Sequence, residues 1–287
     1  MSGLRRAALV VFLLVVFGLF ATPAPLVGEA SKDAQQKLVQ AQIVLTVSEG
    51  KRLIARAVAQ MPVVKEALKN GMVIIAKGTT NTYVAEEILA RKIPHGAYVL
   101  GRTYPEKGGK RLKDVDRMND IILVNGKLRE DLSLDEAVKQ LKGGDVVIKG
   151  ANALDYPNRI AAVITGSSDA GTTGKILPYI GARKAHLVVP VGLEKQVVGS
   201  ALEIVRKVRE PIETLNEVYP MFLLDGQIVT ELEALDLLAC VSVFQAAAGG
   251  IGGAEGAVRL VCRGAREQVQ NALKLTEQIQ GEPPFVE

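Results

Sequence analysis

Between Met72 and Gly192 the chain alternates short apolar runs with amphipathic helical patterns, and this alternation limits the fold more than any other feature. The runs are "MVIIA", "AYVLG", "IILVN", "DVVIKG", "AAVITG" and "HLVVPVG", and between several of them lie "TYVAEEILARK", "SLDEAVKQLKGG" and "GKILPYIGARK". Apolar strands alternating with helices predict an α/β layer, a largely parallel sheet with flanking helices. Upstream, residues 31–70 read as helical. "EGKRLIARAVAQM" spaces its apolar residues by three and four, Pro62 interrupts, and "VVKEALKNG" ends in a glycine suited to a helix C-terminus. Beyond Glu210-Pro211 the pattern changes to strand "YPMFLLDG", helix "TELEALDLLAC", strands "VSVFQAAA" and "GAVRLVCRG", and helix "REQVQNALKLTEQIQG". That βαββα order predicts a C-terminal ferredoxin-like α+β module. The expected organisation is therefore an N-terminal segment at 1–30, a Rossmann-like α/β ligand-binding domain at 31–210, and the ferredoxin-like module at 211–287.

The first thirty residues stand apart from the fold. Arg5 and Arg6 precede an apolar run from Ala7 to Phe17, extended by Gly18-Leu19-Phe20-Ala21, and a small-x-small site ends at Ala30. This reads as an export signal. The run is roughly 15 residues, short of the about 20 that span a bilayer. An uncleaved anchor with the rest of the chain facing outward is the other reading. Nucleic acid is disfavoured as a partner. The net charge is only +4, and no basic block or aromatic-interleaved basic stripe exists. Aromatics make up 4% and tryptophan is absent, so the core must be aliphatic.

Three polar turns fall at expected strand ends, where open parallel sheets bind ligands. The first is Lys77-Gly78-Thr79-Thr80-Asn81, between "MVIIA" and a helical pattern. Gly78 permits close backbone approach, the threonines and Asn81 offer hydrogen bonds, and Lys77 adds charge. A helix start also offers free N–H groups and a positive dipole end. By itself the turn reads equally well as a phosphate cradle or as a capped helix. The second turn supplies Lys149, Gly150, Asn152 and Asp155. The third, "ITGSSDAGTTGK", supplies Asp169 and then Gly171, Thr172 and Thr173 ahead of a helix. Glu194 and Lys195 follow a later strand. Repetition of such turns favours an anion.

Other motifs carry less. "GGIGGAEG" lies between two strand patterns and reads as a hairpin loop, since a dinucleotide fingerprint must open a helix. A hairpin centred near Ile251 would set Cys240 and Cys262 face to face. Export would permit a disulfide between them, and two reduced core thiols are the alternative. His95 and His186 have no metal-ligand spacing, and His186 reads as structural. The polar stretch "GRTYPEKGGKRLKDVDRMND" reads as an exposed excursion with a solvated basic cluster.

The ordered set "LKNGMVIIAKGTTNTYVAEEIL", "DVVIKGANALD", "ITGSSDAGTTGK" and "KAHLVVPVGLEK" resembles the ribose-5-phosphate isomerase and CoA-transferase-like superfamily, over about residues 64–197. The C-terminal pattern is similar to that isomerase's small domain. The resemblance implies a sugar-phosphate or CoA-ester scaffold. It does not carry the catalytic groups. The first aspartate of the family's "D-G-A-D-E-x-D" motif falls on Asn152, which takes no proton; its loop lysine falls near Thr165 and its general-base glutamate near Gly174. Asp155 is retained.

These readings lead to an expected function, binding of a small phosphorylated or carboxylated metabolite. Lys77 to Asn81 would cradle the anion, Lys149, Gly150, Asn152 and Asp155 would face its body, and Gly171 to Thr173 would close over it. Asp155, Asp169 and Glu194 are the acid/base candidates if the protein is an isomerase- or transferase-like enzyme. A non-catalytic sensory or assembly protein with a regulatory C-terminal module is the alternative. Homo-oligomers fit either, membrane contact would come only through an uncleaved N-terminal segment, and no cofactor is identified.

Overall fold

The computed structural model describes residues 37–101, 103–105, 107 and 116–285. The expected export signal and much of the basic excursion lie outside the described residues. Among the described residues no helix is long and apolar enough to cross a membrane.

The core is a six-stranded mixed sheet flanked by helices. Strands β2 (Met72–Ile75), β5 (Val146–Ile148), β8 (His186–Pro190) and β10 (Gln227–Val229) run parallel, with β2 pairing β5 from Val73↔Val146 to Ile75↔Ile148. Strands β3 (Ile121–Val124) and β4 (Lys127–Leu128) continue the sheet antiparallel beyond β2, giving the order β10-β8-β5-β2-β3-β4. Every residue of β2 and β5 is buried, so these strands read as unbroken apolar runs rather than alternating ones. Buried Asp145 holds the other end of the sheet, its carboxylate accepting from the N–H groups of Met72 and Lys142, each at 2.8 Å.

The helices are α1 (Val47–Gln60), α2 (Pro62–Asn70), α3 (Thr79–Leu89), α4 (Leu134–Gln140), α5 (Gly171–Arg183), α6 (Ala201–Lys207), α7 (Glu231–Ala239) and α8 (Arg266–Glu277). Helix α1 packs on α3 and α7. A second sheet, β6 (Ala153–Asp155), β7 (Ile160–Ile164) and β9 (Met221–Leu224), is antiparallel, as is a third made of β1 (Val39–Leu45), β12 (Val258–Gly264) and β11 (Ser242–Ala248).

Several expectations need correction. The N-terminal region is not all helical, because Val39, Ala41, Ile43 and Leu45 alternate with Gln40, Gln42 and the less buried Val44 at the strand period and form β1. "AYVLG" is not a strand. Its first residues lie in a 3₁₀ turn, His95–Tyr98, and the buried Tyr98 hydroxyl donates to Ile75 O and accepts from Ile121 N at 2.9 Å. One side chain thereby joins β2 to β3. "IILVN" forms β3, antiparallel to β2, so the six-stranded sheet is mixed, and "AAVITG" forms β7 in the separate antiparallel second sheet.

The C-terminal elements do not assemble a ferredoxin-like sheet of their own. Strand β9 joins β7, β10 joins β8, and β11 and β12 pair with each other and with β1. Strands on either side of Glu210-Pro211 thus share sheets, and the described residues form one compact unit. The glycine-rich segment does connect a hairpin, but its register sets Cys262 opposite Val243. Cys240 lies before the strand, in a left-handed conformation at the end of α7, and both thiols are free. The pairs Ala248↔Val258 and Ala247↔Arg259 centre the hairpin at Gly253 rather than Ile251, and a bulge between Gln245 and Ala247 interrupts the register.

Candidate functional site

The parallel strands β2, β5 and β8 end on the same side, and the turns that follow them open into a cavity of about 510 Å³. Lys77 and Gly78 come from the end of β2, Lys149 to Asn152 from the end of β5, and Lys195 from the 3₁₀ turn Leu193–Lys195 after β8. The start of α3 supplies Thr79, Thr80 and Asn81. The facing wall is built on the second sheet, with Thr165 to Ser167 after β7 and Ala170 to Thr173 opening α5. The cavity thus lies between two sheets. It brings together every residue predicted to touch the ligand except Asp155.

Local chemistry explains the open helix starts. Gly78 precedes α3 with an extended backbone, φ 165°, and no side chain caps the helix. A Cβ at Gly78 would meet only Asn81 Cβ, at 4.0 Å, so the glycine leaves the backbone approachable rather than relieving a clash. Asn81 is fully buried. Its Nδ2 donates to Ala76 O at 2.6 Å and Ile148 O at 3.2 Å, stitching the ends of β2 and β5 together. Its Oδ1 has no partner, and neither does buried Thr80 Oγ1. Such orphaned atoms are rare in folded proteins and commonly mark a bound water, ion or ligand. Helix α5 begins after left-handed Ala170, which caps nothing; its first N–H, of left-handed Gly171, is taken by Asp169 at 2.8 Å.

The cavity is cationic. Lys77 Nζ lies 3.7 Å from Asp120, whose buried Oδ1 is also unpartnered. Lys195 Nζ donates to Ala151 O at 2.8 Å. Lys149 is 9% exposed and donates to Gly150 O at 3.2 Å. Burial pulls its pKa down to about 8; the neighbouring Lys195 pushes the same way, and Asp120 opposes. Burial lowers Lys195 as well, against the attraction of Glu194 and Glu231. Arg117, at the far end of the excursion, also lines the cavity and donates to Val99 O at 3.2 Å. The excursion was expected to be solvated throughout. Its sequence gives no sign that Arg117 and Asp120 return to the strand ends.

The three predicted acid/base groups do not line this cavity. Asp155, 3% exposed, accepts from Ala201 N at 3.1 Å and from the backbone and side chain of Asn158, the latter holding its pKa below the usual carboxylate range. It caps α6 from a distance. Asp169 is exposed and closes its own loop, accepting from Ser167 Oγ at 2.5 Å and Gly171 N at 2.8 Å. Glu194 folds back over Gly192, where a Cβ would lie 1.8 Å from its Oε2. Gly174 has no room for a side chain, since a Cβ there would fall 2.1 Å from Asp169 O. Asn152 lines the cavity while its Oδ1 accepts from Ile164 N at 3.0 Å.

Behind the cavity is a buried charged layer that the sequence did not reveal. Glu231 is 2% exposed and accepts from Leu193 N at 3.0 Å; burial, with Glu194 adding to it, pushes its pKa up to about 8. It presses on Gly50 of α1, where a Cβ would lie 2.5 Å from Oε1. Lys51 is buried near the same groups and is pulled down to about 8 by desolvation. Among the described residues, no cluster of three or more His, Cys, Asp or Glu side chains is arranged to hold a metal. Comparison of the chain with protein-family models, curated proteins and solved structures finds no match, so the functional reading rests on this geometry.

Proposed function

We propose that this protein binds a small phosphorylated or carboxylated metabolite in the cavity at the carboxyl ends of β2, β5 and β8. The observation that carries the reading is that α3 begins at this cavity without a side-chain cap, and α5 with only its first N–H taken, by Asp169, beside three lysines and the unpartnered oxygens of Thr80 and Asn81. Uncapped N–H groups need an acceptor, and the dipole of each helix favours a negative one. The anion rests on the α3 start and Lys77. Lys149 and Asn152 face the remainder of the ligand, and the Gly171–Thr173 start covers it.

The engagement of Asp155, Asp169 and Glu194 outside the cavity favours binding without acid/base work by those three carboxylates. Export or an outward-facing anchor, proposed from residues 1–30, makes the ligand one met outside the cytoplasm. The test is a thermal-shift panel of sugar phosphates, nucleotides, CoA and dicarboxylates. At least one anion raises the melting temperature of the wild-type protein and has a much smaller effect on Lys77→Ala. A panel in which no anion acts, or acts equally on Lys77→Ala, overturns the reading.

A further inference from the structure

The three lysines of the cavity are not equivalent. Lys77 has Asp120 as a counter-ion at 3.7 Å, and Lys195 is tied to the Ala151 carbonyl at 2.8 Å. Lys149 is the most enclosed, and its Nζ meets the carbonyl of its own neighbour, Gly150, at 3.2 Å. No carboxylate lies within ion-pair distance of it among the described residues. A buried ammonium without a carboxylate costs the fold, and the cheapest relief is loss of its proton. Lys195, in the same cavity, adds to the cost, while Asp120 offsets part of it.

Burial beside a second cation is a known way to make a lysine a carbonyl-attacking amine. With a pKa of about 8 for Lys149, roughly one molecule in ten carries the free amine at pH 7. An ordinary lysine does so in roughly one of a few thousand.

We infer that Lys149 is a nucleophilic amine that forms an imine with a phosphorylated aldehyde or ketone held in this cavity. The phosphate half of that ligand rests on the anion reading above; the reactivity of the amine does not. The Nζ lone pair attacks the carbonyl carbon, and a proton passes from nitrogen to the carbonyl oxygen to give a carbinolamine. Loss of water then leaves the C=N bond. The water takes the carbonyl oxygen and both amine hydrogens, so nothing is oxidised or reduced.

The test uses the full chain and pyridoxal 5′-phosphate, an aldehyde carrying a phosphate, followed by borohydride reduction and peptide mass mapping over time. Lys149 should be modified at least about tenfold faster than any other lysine, as its larger free-amine fraction predicts. Its rate should rise with pH to a plateau above about 8. Inorganic phosphate should slow it, and Lys149→Arg should lose the fast-labelled peptide while still melting cooperatively. Labelling spread over the exposed lysines, or concentrated on Lys77 or Lys195, overturns the inference. If phosphate stabilises the protein but Lys149 stays unlabelled, the amine inference falls and the anion reading stands. If pyridoxal lacking the phosphate labels Lys149 equally fast, the phosphorylated ligand class falls, and the anion reading falls with it.

Discussion

The helices of this protein begin in two different ways. At the start of α1, Thr46 Oγ1 accepts from Glu49 N while Glu49 accepts from Thr46 N; Ser133 with Glu136 and Thr230 with Glu233 form the equivalent capping boxes of α4 and α7. Helix α6 has no such side chain of its own and borrows the carboxylate of Asp155. Helices α3 and α5 have Gly78 and Ala170 at the corresponding place and no side-chain cap. The capped helices complete their own hydrogen bonds. Helices α2 and α8, after Met61 and Ala265, also lack a side-chain cap; α3 and α5 are the two of these whose starts line the cationic cavity, the first N–H of α5 being taken by Asp169. A turn that looks the same in sequence, polar residues ahead of an apolar helix, thus serves two purposes, and the difference lies in whether a side chain closes on the backbone.

Substitutions should separate the two kinds of helix start. The largest effect is expected at Asp155→Ala, which strips the distant cap from α6 and the anchor from Asn158. Denaturant unfolding should show a loss of about 2–3 kcal/mol, as for a buried charged acceptor, with phosphate affinity unchanged. A loss of phosphate binding without loss of stability would instead move Asp155 into the site. Next, Lys149→Met should weaken phosphate binding by about 10- to 100-fold, the effect of a lost charge-assisted contact. Its unfolding free energy should stay level or rise, because an unpaired buried charge is removed. A strongly destabilised Lys149→Met that binds phosphate normally would class Lys149 with the structural residues.

The pH dependence follows from the same residue. Lys149 is a cation below about pH 8, so the anion is attracted at no cost in protons. Above that pH, binding must recruit a proton, and affinity should fall by up to about tenfold per unit. Calorimetric titrations at pH 7, 8 and 9 would show it, and a flat profile would remove Lys149 from the anion site. Ser133→Ala, at an exposed capping box away from the cavity, should cost about 1 kcal/mol and leave binding untouched. The smallest effect on stability is expected at Gly78→Ala, within about 0.5 kcal/mol, because the backbone there is extended and the new methyl group meets only Asn81 Cβ at 4.0 Å. Its phosphate affinity should nonetheless drop, since that methyl stands at the uncapped helix start.

How much of this was legible in the sequence follows the range of the interactions. The strand–turn–helix from Met72 to Leu89 is local, and its residues declare it: buried β-formers, then glycine and threonines, then a helical period. The same holds for the turns at Lys149 and Gly171, which is why the cavity lining was found in advance. Partnerships between distant segments were not legible. Strand β1 pairs with β12 across most of the chain, and β9 leaves the expected C-terminal module for β7. Neither choice is encoded in the period of the strand itself. Asp155 was misread for a related reason. A carboxylate at a strand end looks the same whether it faces a ligand or the N–H of Ala201, and only the chain's return at α6 decides. The hairpin register was misjudged because the loop between β11 and β12 is centred near Gly253 rather than Ile251, which puts Val243 in the place expected for Cys240.

The central claim is that the uncapped starts of α3 and α5 hold an anion. Isothermal titration of inorganic phosphate into the full chain at fixed ionic strength, beside the Lys77→Ala/Lys149→Met double variant, tests it most directly. The account predicts a saturable isotherm for the wild-type protein and none for a double variant that still melts cooperatively. Equal isotherms in both proteins, or no saturable heat in either, would contradict it.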